Sequence, residues 1–170
     1  MGRLNYTLMN RYFLTLSIRR DGYSAFGMEN PYATFPSGAL AWNLSDESFF
    51  NIKWINNLKV RASYGINGNR DIGIYDALAK LETNKYLTGS TLISGIYSSS
   101  LANQYLKWEK TKALNLGLDF SVLDSRLNGS VDYYSMITND LLLKRSLPTI
   151  IGYDNVMSNM GELQNKGFEM

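Results

Sequence analysis

Alternation with a period of two is the feature that most constrains this chain. Tyr12, Leu14, Leu16 and Ile18 are apolar, and Thr15, Ser17 and Arg19 between them are polar, with Phe13 the exception. Leu58, Val60, Ala62 and Tyr64 stand against Lys59, Arg61 and Ser63. The longest run, Leu114, Leu116, Leu118, Phe120 and Val122, interleaves with Asn115, Gly117, Asp119 and Ser121. Leu127, Val131 and Tyr133 interleave in the same way with Asn128, Ser130 and Asp132. Successive side chains of a strand leave opposite faces of a sheet, so each set occupies a face of its own.

Counting up and down from Arg3 gives seven main strands, and their connections alternate in length. Met9 to Arg11 reads as a tight turn, as does Leu123 to Arg126, which carries Asp124 and Ser125. Ser45 followed by Asp46 and Glu47 reads as the N-cap and acidic first turn of a very short helix. Asp21 to Thr34, Ile66 to Leu106 and Lys144 to Ser158 read as long polar loops, the second with room for a small hairpin around Asn84. All the short connections then fall at one end and all the long ones at the other. An antiparallel transmembrane barrel has this parity, with short periplasmic turns and long outer loops.

Period and parity leave two all-β architectures open. In a soluble β-sandwich the apolar face is the core; in a barrel it meets lipid and the polar face lines the lumen. No run of about 18 apolar residues occurs, so no transmembrane helix is expected, whereas a spanning strand needs only about 9–11 residues. Tyr12, Trp42 and Tyr64 read as strand-end aromatics, which suit an interfacial belt and equally the rim of a core. Met1 to Asn10 lacks the apolar core of a signal peptide.

Composition narrows the chemistry. The 170 residues contain no Cys and no His, which removes disulfides, thiolate metal sites and the usual general base. The net charge of +2 and the absence of a basic stripe argue against a nucleic-acid partner. No phosphate-binding or dinucleotide-binding glycine motif is present, and Gly65, Gly68 and Gly73 read as turn glycines. Asp119 and Asp132 share the predicted polar face and could be imagined as a glycosidase pair, but lumens are routinely polar. Asp21 and Asp71 with Asn67 and Asn69 could hold calcium, and read better as turn-forming residues. Lys59 and Arg61 read as lumen charges. No cofactor and no enzyme activity are expected. The competing readings are a soluble glycan-binding β-sandwich and a hydrolase built on carboxylates alone.

Ordered sequence blocks separate these readings. Arg19-Arg20-Asp21-Gly22, Phe26-Gly27, Thr34-Phe35-Pro36-Ser37 and Ala41-Trp42 come first. Leu58 to Gly65 with Gly68-Asn69, Leu101-Ala102-Asn103 and Leu106 to Thr111 follow. Asn115 to Phe120, Arg126 to Tyr134, Asp140 to Leu143, Leu147-Pro148, Gly161-Glu162 and Asn165 to Glu169 complete the series. Together they resemble the SusC/RagA family of TonB-dependent outer-membrane receptors, while Tyr23 to Pro31 and Thr83 to Ser100 look individual.

The resemblance implies that residues 1–170 form part of a barrel of about 22 strands with a plugged lumen. The family's plug domain and TonB-contacting segment are not visible here. It further implies a Gram-negative, Bacteroidetes-like outer membrane, a bulky glycan or peptide as cargo, a SusD-like surface lipoprotein as lid, TonB as energy source, and contact with outer-membrane lipid. Loop aromatics Tyr23, Phe26, Tyr32, Tyr75, Tyr86, Tyr97 and Tyr153 are the candidate ligand or partner contacts, because rigid amphipathic rings among small polar residues suit recognition.

Overall fold

The computed structural model describes residues 1–26 and 29–170. In chain order its strands are β1 (Gly2–Leu8), β2 (Tyr12–Gly22), β3 (Tyr32–Asn43), β4 (Ile55–Asn69), β5 (Leu81–Thr88), β6 (Thr91–Ser98), β7 (Ser100–Leu101), β8 (Glu109–Val122), β9 (Leu127–Asn139), β10 (Leu142–Ser146), β11 (Asn155–Asn159) and β12 (Glu162–Glu169). Seven of them form one sheet in the order β1-β2-β3-β4-β8-β9-β12, antiparallel at every step. These are the seven strands expected from the alternation. The β5–β6 hairpin and the small β10-β11-β7 sheet grow from the loop end.

Register carries the alternation across the whole sheet. One lateral row runs Tyr6, Leu14, Leu40, Ala62, Leu116, Tyr133, Phe168, with an apolar or aromatic side chain at every strand. The neighbouring row on the other face runs Asn5, Thr15, Ala39, Ser63, Asn115, Tyr134, Gly167. The apolar face is the exposed one: Leu16 is 45 %, Leu40 59 % and Leu116 45 % accessible. On β8 every residue from Lys110 to Leu118 on that face is exposed, while those between them are less so. Among the described residues no second sheet or helix covers the leucines, so these residues do not form a two-sheet sandwich by themselves. From Leu114 to Val122, β8 rises about 27 Å at about 3.4 Å per residue. A tilt of about 40° reduces this to about 21 Å, close to the roughly 25 Å apolar band of an outer-membrane sheet. Above it the same face turns to Lys112 and Lys110.

The short connections lie together, as expected. Met9 and Asn10 both adopt positive φ (50° and 55°), and the Arg11 amide donates to the Leu8 carbonyl at 3.0 Å. Leu123, Asp124 and Ser125 are likewise left-handed. The third connection differs in detail from the sequence reading. Its 3-10 turn spans Leu44–Asp46 with Asn43, not Ser45, at the N-cap and no side-chain cap; the Ser45 hydroxyl instead donates to the Asn57 side chain at 3.4 Å. Glu47 clasps this end. Its carboxylate accepts from Trp42 Nε1 at 3.0 Å, from the Tyr12 hydroxyl and from Arg11 at 3.2 Å, while the Tyr12 and Trp42 rings stack 5.9 Å apart.

The long connections are more ordered than expected. β2 and β3 extend to Gly22 and Tyr32, and β4 to Asn69, which leaves Tyr64 in mid-strand rather than at an end. The hairpin in the second loop turns at Gly89 (φ +64°) between the paired Thr88 and Thr91. Asn84 is in mid-strand opposite Gly95, because the left-handed turn goes to the residue without a Cβ. Within Lys144 to Ser158, Ser146 and Asn155 pair at the mouth of a second hairpin. The buried cluster Phe26, Phe35, Ile72, Ala77, Leu106 and Trp108 binds these loops together.

Two outcomes test this architecture. In refolding titrations of the intact parent protein, Leu116→Arg should lose about 2–4 kcal/mol, as a charge placed deep in lipid does, and Asn115→Arg clearly less; equal losses would contradict the assignment of faces. The Glu47 carboxyl is held below its ordinary value by the Tyr12 hydroxyl, then the Trp42 indole, with Arg11 adding to both against the opposing effect of burial. A carboxyl depressed on folding stabilises above its unfolded pKa and ceases to as pH falls through the folded one. Thermal unfolding between about pH 5 and 3 should therefore show a smaller acid loss in Glu47→Gln than in the wild type.

Candidate functional site

Two regions of the polar side carry chemistry. The first is a tie across three strands. Arg61 on β4, Gly117 on β8 and Asp132 on β9 lie in one lateral row, and Lys59, Asp119 and Ser130 form the next. The Arg61 guanidinium donates to Asp119 through Nε at 2.9 Å and Nη2 at 2.8 Å, and Nη2 also reaches both Asp132 oxygens at 3.1 Å. It can do so because Gly117 has no side chain. A Cβ there would stand 2.4 Å from Asp132 Oδ1 and 2.8 Å from Arg61 Cζ. Both carboxylates are thus committed to one cation, so the acid pair noticed in the sequence is a structural clamp rather than a general acid and base. Lys59 leans over the Phe13 ring at 5.2 Å.

Hydrogen bonds between side chains continue this polar face. Ser17 and Ser37 pair at 2.7 Å, Thr15 donates to Asn5 at 3.0 Å and Thr111 pairs with Thr138 at 2.8 Å. A face of this kind is hydrated and self-satisfied, unlike a packed core.

The second region is the loop end. Tyr32, Tyr75, Tyr86 and Tyr97 are exposed there and Tyr153 is half-buried. Tyr23 and Phe26 differ from the rest of the predicted set. Phe26 is buried against Trp108, ring centroids 5.2 Å apart, and the half-buried Tyr23 packs edge-on to Phe26 at 5.6 Å. Both act in holding the loop, which a count of loop aromatics cannot reveal. The Tyr97 phenol is raised above its ordinary value by burial first and by the Glu82 and Asp154 charges. Asp76 is held below its own by Lys80, against burial and with help from the Gly73 amide. Asp76 and Glu82 with Lys80 and Lys144 border a cavity of about 180 Å³ with Ser99 and Ser100.

The calcium reading does not assemble. Asp21 faces Arg19 Nε at 2.9 Å, and the Asn69 side chain accepts from the Asp71 amide at 3.2 Å in an Asx turn. Among the described residues no group of three or more metal-ligating side chains forms. Sequence reasoning passed over Trp108, Arg70 and the permissive role of Gly117. The adjacency of Gly117 to two alternating polar residues was its only signal.

An antiparallel sheet with its leucines outward, its ion pairs on the other face and its long loops at one end is a segment of an outer-membrane strand wall. Residues 1–170 match the family described as TonB dependent receptor-like, beta-barrel, and the chain belongs to that family, in its SusC/RagA branch, whose place is the outer membrane of Gram-negative bacteria. It is 45 % identical over 169 residues to TonB-dependent receptor P3 of Formosa agariphila, covering 99 % of this chain and 17 % of that protein. It is 39 % identical over 175 residues to TonB-dependent receptor SusC of Bacteroides thetaiotaomicron, again 99 % and 17 %. A solved structure of the RagAB peptide transporter superposes with a TM-score of 0.85 at 32 % identity, over 98 % of this chain and 18 % of that one. The chain therefore spans about a sixth of the length of these relatives and matches part of a larger barrel fold.

The cross-strand tie has a direct test. Gly117→Ala should cost about 1–3 kcal/mol, the usual penalty for forcing a methyl into occupied space. In the Arg61→Ala background the same substitution should cost clearly less, since the displaced guanidinium is gone. Additive losses in a double-mutant cycle would show that Gly117 does not act through Arg61.

Proposed function

We propose that this sheet, residues 1–170, is part of the closed wall of an importer barrel of about 22 strands that carries a bulky nutrient, a glycan or a peptide, across the outer membrane. Its role is passage, not catalysis. The observation that carries this is the inversion of the sheet: apolar residues exposed on one face, a hydrated and ion-paired face on the other, and every long connection at one end. Lipid suits the first face and an aqueous lumen the second. The unpaired outer edges of β1 and β12 fit a wall continued by further strands, since open edges are not tolerated in hydrocarbon. The plug is supplied by another part of the protein, through which TonB delivers energy.

The loop end is the nutrient and partner surface. Tyr32, Tyr75, Tyr86, Tyr97 and Tyr153 are its contact residues, offered to the cargo or to a SusD-like lipoprotein seated above, and Tyr23 and Phe26 serve by holding the loop in shape. The name of one relative, a peptide transporter, supports import as the activity and leaves glycan and peptide both as cargo classes.

The β5–β6 hairpin offers the cleanest test. Thr83 pairs with Ile96, so replacing residues 84–95 by an Asn-Gly turn shortens the hairpin without touching the buried Ser99 and Ser100. In the full-length protein this should lower nutrient uptake, lipoprotein co-purification, or both, by about an order of magnitude. If both are unchanged, the hairpin has neither role and recognition lies in the lumen or the plug.

A further inference from the structure

Where β2 and β4 rise to their loops, the structure holds a cleft of about 530 Å³ lined by Arg19, Asp21, Arg70 and Trp108, with Gly22 and Gly68 beside them. Arg19 and Asp21 belong to the polar face by alternation, opposite Phe35 and Ala33. Three arginines border the cleft with a single carboxylate; Arg20, on the opposite face by alternation, lies 5.1 Å from the Tyr32 ring centroid, which leaves Arg19 and Arg70 on the polar side. Arg19 gives its Nε to Asp21 at 2.9 Å, and its carbon centre lies 5.5 Å from the Phe35 ring centroid. Arg70 sits 4.6 Å from the Tyr23 ring centroid and has no carboxylate partner among the described residues. Stacking uses the face of a guanidinium and leaves its N–H edges free to donate.

Trp108 supplies an independent observation. It is 3 % exposed, and its indole N–H finds no acceptor among the described residues. Buried donors are almost always paired. A cleft bordered by a ring with an unspent buried indole donor, a half-used guanidinium and an unpaired one has donors in excess, no acceptor beyond Asp21 among its charged groups, and a surplus of positive charge. Arginine forks match the geometry of a carboxylate or a sulfate in particular.

We propose that this cleft binds an oxyanion, a carboxylate or a sulfate ester, carried by the incoming nutrient. That the nutrient is its bearer rests on the import reading; the anion site itself does not. The ring-backed arginines fix the donors in advance, so little side-chain freedom is lost on binding. Asp21 restrains Arg19, and the surplus of positive charge sets a selectivity: a neutral cargo offers only uncharged acceptors, which pair more weakly than an anion, and a cation is repelled.

The test uses the full-length protein in detergent, labelled with 5-fluorotryptophan, with the Trp108 resonance assigned by its loss in Trp108→Phe. At constant ionic strength against chloride, sodium acetate and sodium sulfate should each shift that resonance saturably, and maltose should not. Arg70→Gln and Arg19→Gln should weaken the effect at least tenfold, with the Trp42 and Trp54 resonances unmoved as evidence of folding. Trigalacturonate and trialanine, the latter with a free or amidated carboxy terminus, then name the source, since the true bearer should act at concentrations well below acetate. No saturable shift overturns the site. A shift indifferent to both arginine substitutions marks an adventitious ion only and overturns it equally. Anion binding without any advantage for either oligomer would remove the nutrient as bearer while leaving uptake itself to be judged separately.

Discussion

Hydrocarbon offers a peptide group no hydrogen-bonding partner, so a strand immersed in lipid must spend every amide on its neighbours. Much in this structure follows from that constraint. The seven long strands pair antiparallel with continuous register, and the one irregularity, between Ile55 and Asn57, falls at the short-turn end of β4. Since the backbone is satisfied within the sheet, side chains alone decide what each face can touch. A soluble protein would hide Leu16, Leu40 and Leu116; here they are left open, and the serines, threonines and charges occupy the other face.

The polar face has its own difficulty, because charges brought together on one sheet face must be balanced at short range. Arg61 answers two aspartates at once, and it does so by lying across an intervening strand at a glycine. Its side chain and that of Asp119 remain more than a third exposed, so solvent screening keeps the energy of the clamp modest, about 1 kcal/mol or less per pair. Its value is geometric. It ties side chains of β4, β8 and β9 together in a region with no packed core. At the loop end a true core reappears around Trp108, and with it the ability to hold irregular chain.

Much of this was legible from sequence because a period of two is a direct projection of sheet faces. Leu114 to Val122 gave strand, face and length together, and the seven strands and the grouping of short turns followed. What could not be read was whatever depends on partners distant in sequence. Phe26 looked like any other loop aromatic until Phe35 and Trp108 were seen against it. Asp119 and Asp132 looked like a pair until Arg61 was found between them. Asn84 looked like a turn former, but Gly89 adopted the left-handed conformation at lower cost. The extra strands β10 and β11 escaped because they are short and carry no clear alternation, their register being set by pairing with each other.

The grouping of the long connections at one end also bears on how such a sheet comes to be built. β4 and β8 are immediate neighbours, yet residues 70–108 lie between them, and that segment carries Arg70, Asp71, Asp76, Lys80, Glu82, Lys85 and Lys107. Taking even one bare ion through a hydrocarbon layer is prohibitive. In the proposed barrel the segment would therefore travel by a watery path before β4 could zip to β8, whereas β2 could join β1, and β9 could join β8, with only a few turn residues left behind. Assembly of such a barrel would thus have a direction and an order: hairpins first, joined by short turns that never leave the side they start from, and lateral closure between hairpins only after their highly charged crowns have been delivered to the far side.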